Sequence, residues 1–240
     1  MEQHYKSRAE LKQDVKNMYK GNWLYAILLN IIPAMIVLGA IRIIEVIFLP
    51  ISVLISEPVN NGQPLALIIF ILIGLVSFII LTIGMMLVSY GVMFTLLGWL
   101  RGEKINMDSV FNSGFSGFSP KYVKGNIIIG IESSLYFYLW SLLLVVPGII
   151  KMISYSQAIY LYKDYIDEGN KKEYNFGDFI NESRKLMNGH KWEYFVLQLS
   201  FLGWFLLSIL TLGIGFIWLT PYINATNANF YDNLKSKKIN

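Results

Sequence analysis

Cysteine is absent from this 240-residue chain, so disulfides, thiolate metal sites and a cysteine nucleophile are all excluded. Charge is scarce as well. Only 15% of the residues are charged and 55% are hydrophobic, too few polar groups to cover the surface of a soluble domain of this size. Composition therefore predicts a polytopic membrane protein. The signatures of several enzyme classes are also missing: no His-Glu-x-x-His, no Gly-x4-Gly-Lys-Ser/Thr and no strand-linked Gly-x-Gly-x-x-Gly. The two histidines, His4 and His190, stand in separate segments. A membrane hydrolase is disfavoured, ATP-driven transport would need a separate subunit, and neither enzymatic activity nor a cofactor or metal is expected. The net charge of +4 does not point to nucleic acid, because the basic residues fall in short connections between apolar runs. A cleavable signal is not evident either: the charged leader and the long run after it predict a first span that stays attached.

What the chain does have is long apolar runs. A helix needs about 20 mostly apolar residues to cross roughly 30 Å of hydrocarbon. Six segments come close: 23–44, a stretch within 65–100, 126–146, 149–165, 192–210 and 216–231. Pro147-Gly148 and "TLGIG" supply turns. The expected fold is all-α: a single integral-membrane domain over 1–240, with six transmembrane helices as three hairpins plus amphipathic interfacial helices. Eighteen of the 20 Lys and Arg residues then share one side, leaving Arg42 and Lys151 elsewhere. The positive-inside rule places that side, with both termini, in the cytoplasm.

Three related entry points organise this pattern. "YKGNW" at Tyr19 to Trp23, "VKGNI" at Val123 to Ile127 and "NGHKW" at Asn188 to Trp192 each stand where charge gives way to an apolar run. Leu11, Val15 and Met18 share one helical face before the first, and Phe176, Phe179, Ile180, Ser183 and Met187 share another before the third. Both read as interfacial helices, the first being the leader 1–21. Gly21, Gly125 and Gly189 are expected to end the preceding element, Asn22, Asn126 and His190 to open the next, and Trp23 and Trp192 to sit at headgroup depth. A lipid headgroup bound by Asn22, Asn126 and His190 is the functional alternative.

Polar groups at membrane depth are the remaining candidates. Asn30, Glu132 and Gln198 follow Asn22, Asn126 and His190 by eight, six and eight residues, placing them roughly 9–12 Å inside. Thr220, Asn224, Asn227 and Tyr231 share one face of the last span, and Ser154 and Gln157 come from the fourth. Lipid cannot satisfy these groups, so they turn inward. Two readings stand side by side: interhelical hydrogen bonding, or a cytoplasm-facing cavity for a small amphiphile, peptide or ion, with Glu132 as its charge-sensing group facing Asn224 or Asn227. Near the opposite surface, Arg42 and Glu45 have the spacing of a local ion pair, with Lys151 snorkelling.

The stretches "LWSLLLVVPGIIKMISYSQ" from Leu139 and "ESRKLMNGHKWEYFVLQLSFLGWFLLSILTLGIGFIWLTPYINAT" from Glu182, together with "YKGNW", resemble a bacterial multi-pass integral-membrane family of unknown function (domain of unknown function 975). More distantly, the proline turn and following "ES" helix are similar to the membrane domains of some glycerophosphodiester phosphodiesterases, without their catalytic domain. The resemblance implies a multi-pass protein of a bacterial cell membrane and no activity. A non-enzymatic protein that binds or helps transport lipids or small amphiphiles is the leading expectation, with the bilayer and a peptide or transporter subunit as partners. The alternative is a self-protection (immunity) protein against a membrane-active peptide.

Overall fold

The computed structural model describes residues 5–61, 64–169 and 175–238, which leaves His4, Lys171 and Lys172 outside. The fold is helical, with no strand among the described residues. In chain order the helices are α1 (Arg8–Tyr19), α2 (Trp23–Asn60), α3 (Pro64–Leu100), α4 (Val110–Gly114), α5 (Val123–Leu143), α6 (Val145–Tyr155), α7 (Ala158–Asp167), α8 (Phe176–Leu186), α9 (Lys191–Leu199), α10 (Leu202–Leu210) and α11 (Phe216–Lys238). Three stretches are long and apolar enough to cross a membrane as helices: Trp23–Ala40, Leu67–Leu100 and Lys191–Leu210, with mean hydropathies of 2.1, 3.0 and 1.6. That pattern fits a membrane protein.

Helix α1 starts as its sequence dictates. The Ser7 hydroxyl accepts from the Glu10 N–H at 3.3 Å and the Glu10 carboxylate accepts from the Ser7 N–H at 2.6 Å, a reciprocal capping box. Leu11 and Val15, expected on a face turned to the membrane interface, are buried within the protein. That face is covered by protein: α1 lies along α11, where the Tyr19 hydroxyl donates to the Pro221 carbonyl at 2.9 Å and the Asn229 amide donates to the Leu11 carbonyl at 3.0 Å. Tyr19 also meets Trp23 and Trp99 with ring centroids 4.8 and 5.2 Å apart, tying α1 to the ends of α2 and α3.

Several boundaries differ from the sequence reading. The α5–α6 turn falls at Leu144, whose backbone is extended, and Pro147 sits in the first turn of α6, where a missing N–H costs no helical bond. The fourth apolar segment is broken between α6 and α7 at Ser156-Gln157, and the fifth between α9 and α10 at Ser200-Phe201. The last helix accepts Pro221 and runs on to Lys238.

The polar end of the bundle is fastened around one buried carboxylate. Asp164 of α7 accepts from both terminal nitrogens of Arg101 at 2.6 and 3.0 Å, from the Tyr231 hydroxyl at 2.6 Å and from the Lys235 ammonium at 2.8 Å. Arg101 turns its Nε to Asp232 at 2.7 Å, so α3, α7 and α11 end in one cluster. Burial alone would raise the Asp164 pKa, but Arg101, Lys235 and Tyr231 outweigh it and hold the carboxyl at about 2.

Two predictions follow from these contacts. Because the folded pKa lies below the ordinary carboxylate value, the stabilisation from Asp164 is present above about pH 4 and is lost as pH falls toward 2. Thermal unfolding in detergent should show that acid slope, and Asp164→Ala, which takes the shared buried partner from Arg101 and Lys235 and leaves them only Asp232 and Glu168, should cost about 3 kcal/mol at neutral pH and flatten it. Gly117 tests a backbone approach: a Cβ there would stand 2.0 Å from the Leu87 carbonyl oxygen and 2.9 Å from the Gly91 nitrogen. Gly117→Ala should therefore separate the segment after α4 from α3 and lower the unfolding temperature, whereas Gly102→Ala, with open space around its Cβ position, should cost only the strain of its positive φ.

Candidate functional site

The polar layer expected from sequence resolves into two matched pairs on α11. The Asn224 amide donates to the Asn30 side-chain oxygen at 2.8 Å, while the Asn30 amide donates back to the Ala26 carbonyl at 2.9 Å. The Gln198 amide donates to the Asn227 oxygen at 2.7 Å. Asn224 and Asn227 are about one turn apart, so α11 joins α2 through one amide and α9 through the other. Thr220 is exposed, and Tyr231 belongs to the Asp164 cluster.

Glu132 and Gln157 stand apart from these pairs. The expectation that Glu132 faces Asn224 or Asn227 is corrected: both asparagines are engaged elsewhere, and the carboxylate lies against the start of α8, with its Oε2 3.7 Å from where a Gly177 Cβ would be. That oxygen is buried without a hydrogen-bond partner among the described residues. The reason is that α8 folds back over α5, α6 and α7 and covers the face that carries Glu132. Its anchor is Ser183, whose hydroxyl donates to the Ser154 carbonyl at 2.8 Å and accepts from the Gln157 N–H at 3.1 Å. Gln157 is buried and gives its amide to Ser156 at 2.7 Å.

The entry markers divide in the same way. Gly21 and Gly189 have φ of +80 and +85, the left-handed turn expected of a glycine that ends one helix. Asn22 precedes α2 and its carbonyl accepts from the Ala26 N–H at 3.3 Å. His190 occupies the N-cap position of α9 without a side-chain cap bond; its ring pairs with Glu193 at 2.9 Å and packs on Tyr5. The second copy is different. Helix α5 already begins at Val123, so Gly125 and Asn126 lie inside it. A Cβ at Gly125 would strike the Tyr162 ring at 2.1 Å, and the buried Asn126 amide donates to the Gly117 carbonyl at 2.9 Å. Trp23 is half-buried, whereas Trp192 is largely exposed. The Arg42–Glu45 expectation falls on a side chain outside the described ones.

Sequence reasoning missed an apolar cavity. It encloses about 420 Å³ and is lined by Lys16 of α1, Trp23 of α2, Trp204, Leu207 and Ser208 of α10, Thr211, and Gly215, Trp218, Leu219 and Tyr222 at or near the start of α11. Lys16 is its one charged residue and is itself exposed. The hydroxyl of Ser208 is spent on the Trp204 carbonyl at 2.8 Å, so the wall offers few free polar groups. A usable signal existed: Trp204 and Trp218 stand eight residues before and six after Leu212, at similar heights on a hairpin. A more polar cavity of about 340 Å³ lies between α3, α5, α6 and α7 beside Tyr90, Ser133, Ser134 and Tyr155. No group of three or more His, Asp or Glu side chains placed to hold a metal occurs among the described residues.

A family model described as "Protein of unknown function (DUF975)" matches residues 65–238. The chain belongs to that family. No curated protein and no solved structure matches it. The DUF975 match covers α3 to α11, so the two α11 amides and most of the Trp-lined cavity lie within it, while their partners Asn30, Lys16 and Trp23 come from the segment before it.

The amide pairs behave as interhelical fastenings, and their strength is measurable. Asn224→Ala and Asn30→Ala should each destabilise modestly, with a coupling between them of about 0.6 kcal/mol in a double-mutant cycle read from unfolding in detergent. A coupling near zero would show that the pair holds nothing together.

Proposed function

We propose that this protein is a non-enzymatic binder of lipids or small amphiphiles in a bacterial cell membrane. Its three apolar hairpins enter from the cytoplasmic side and both termini are cytoplasmic. The observation that carries the reading is the cavity between α1, α2, α10 and α11, which joins an apolar, tryptophan-rich wall to a single exposed cation. Such a wall offers dispersion contacts along an alkyl chain, and tryptophan favours the boundary between hydrocarbon and headgroup. Lys16 stands where an anionic headgroup would meet it, on a helix whose other face is sealed against α11. The occupant best matched to this chemistry is an amphiphile with an anionic head and an apolar tail.

Two further features support the orientation. The basic leader, the segment after α3, the segment from α7 to α9 and the tail of α11 all fall at the same end of three hairpins, as the positive-inside rule requires of a cytoplasmic face. The Asp164 cluster lies at that end too, in contact with the tail through Lys235.

The test is native mass spectrometry of the purified protein with its bound lipids. Wild type should retain phosphatidylglycerol in preference to phosphatidylethanolamine. Removing one interfacial cation is worth about 1 kcal/mol, so Lys16→Gln should reduce that preference roughly fivefold while leaving the fold intact. Trp204→Ala with Trp218→Ala should lower retention of both lipids. Equal lipid retention by wild type and these variants would remove the cavity as the binding site.

A further inference from the structure

The second and third hairpins carry two levels that fix how far they reach into a bilayer. Polar structure marks the lower level. Helix α8, which exposes Arg184 and Lys185, is anchored to Ser154, about 15 Å along α6 from the turn at Leu144. Lys151 is nearer still, about 10 Å from that turn, where its ammonium lies 4.3 Å from the Trp140 ring and within electrostatic reach of Arg184 and Lys191. On the third hairpin, Lys12 of the charged helix α1 donates to the Ser200 carbonyl at 3.2 Å and lies 4.0 Å from the Phe201 ring. Ser200 is about 18 Å from the turn at Leu212.

Apolar tips mark the upper level. Leu142 and Val145 are 84% and 70% exposed at the second turn, and Leu210 and Leu212 are 77% and 95% exposed at the third. Neither tip carries a charged residue. The one hydroxyl at the third turn, on Thr211, is used internally: it donates to the Ser208 carbonyl at 3.0 Å and accepts from the Gly215 N–H at 3.1 Å. The backbone donors there are satisfied as well, since the N–H groups of Leu212, Gly213, Ile214 and Phe216 donate to the carbonyls of Ile209, Ser208, Thr211 and Gly213 at 2.9–3.1 Å. A turn whose N–H groups are answered internally suits hydrocarbon, where nothing else can satisfy them.

A hydrocarbon core is about 30 Å thick, so tips 10–18 Å above the polar level stop near its middle. Helices α2 and α3 differ: at 38 and 37 residues each is about 55 Å long, and α2 ends on Asn60 with Asn61 beginning the connection. We propose that only the α2–α3 hairpin crosses the membrane, and that the α5–α6 and α10–α11 hairpins are re-entrant wedges that end inside the cytoplasmic leaflet. This rests on the cytoplasmic entry argued above but not on any ligand. It departs from six full crossings and it removes an anomaly, because Lys151 joins the other eighteen basic residues on one side and leaves Arg42 alone. The surface formed this way fits one leaflet of lipid: it displaces area among cytoplasmic acyl chains without adding any to the outer leaflet except at α2 and α3.

Single cysteines in this Cys-free chain test the depth directly. In intact cells a membrane-impermeant maleimide should label Asn61→Cys, and in inverted vesicles it should label Asn112→Cys. Leu144→Cys and Leu212→Cys should be labelled from neither side, although a small permeant maleimide reaches them in detergent, which shows that the chains are folded and the thiols present. Spin labels at the same two positions in liposomes should collide with oxygen more than with a polar nickel complex, the profile of mid-bilayer. External labelling of Leu144→Cys or Leu212→Cys, or a preference of either spin label for the polar collider, would overturn the wedge and restore full crossings. Lipid retention plays no part in this readout, so failure of the amphiphile reading would leave it unchanged.

Discussion

A carboxylate as buried as Asp164 is tolerated only when its charge is answered on several sides, and here the answers come from the end of α3 and from two turns of α11. That requirement fixes the register of the bundle. Apolar helix faces pack with little directional preference, and within lipid they lack even the driving force that collapses a soluble core. Arg101 meets the Asp164 carboxylate through two nitrogens and keeps a third for Asp232, so the helix ends cannot slide past one another by a residue without abandoning a charge. A second carboxylate nearby, Asp167, does the same locally for Lys121, Lys163 and the Tyr122 hydroxyl, fastening the segment before α5 to α7.

The organisation above this clamp runs through α11. That helix receives the Tyr19 hydroxyl, reaches the Leu11 carbonyl through Asn229, holds Asn30 and Gln198 through Asn224 and Asn227, and stacks Tyr231 on Tyr160 with centroids 4.9 Å apart. The amide-rich helix is therefore interior, while the apolar stretches of α2, α3, α5 and α10 present their side chains outward. This inverts the arrangement of a soluble protein and fits a membrane protein, because in hydrocarbon it is polar groups that need partners.

Where local chemistry decides the structure, the sequence was legible. The left-handed turns at Gly21 and Gly189 and the inward set of Asn30, Asn224, Asn227 and Gln198 follow from residue type and spacing. Where a neighbour decides, it was not. The "KGN" of Lys124 to Asn126 matches that of Lys20 to Asn22, yet Gly125 is there for the Tyr162 ring and Asn126 for a distant carbonyl. Glu132 shared a depth with the amides but not a face, because α8 returns over α5 and depth says nothing about azimuth. The breaks at Ser156-Gln157 and Ser200-Phe201 occur without proline or glycine, where Ser183 bonds the Gln157 N–H and Lys12 bonds the Ser200 carbonyl from other helices. The tryptophan-lined cavity was hidden for a further reason: a pocket in an apolar run has no polar contrast to mark it.

The proposed half-depth hairpins and the cavity constrain each other. The cavity runs from Lys16, at the level of the charged leader, to Thr211 and Gly215 at the tip of the third hairpin. If that tip ends at mid-bilayer, an acyl chain in the cavity has a protein wall along its whole length within one leaflet, and the wall stops where the leaflet stops. Beyond it only α2 and α3 continue, and two helices cannot enclose a path for a headgroup through the outer half of the membrane. Moving a charged headgroup against bare hydrocarbon would cost several kcal/mol with nothing to offset it. On the topology proposed above, a single copy would hold an amphiphile within one leaflet and would not by itself line a path to the other.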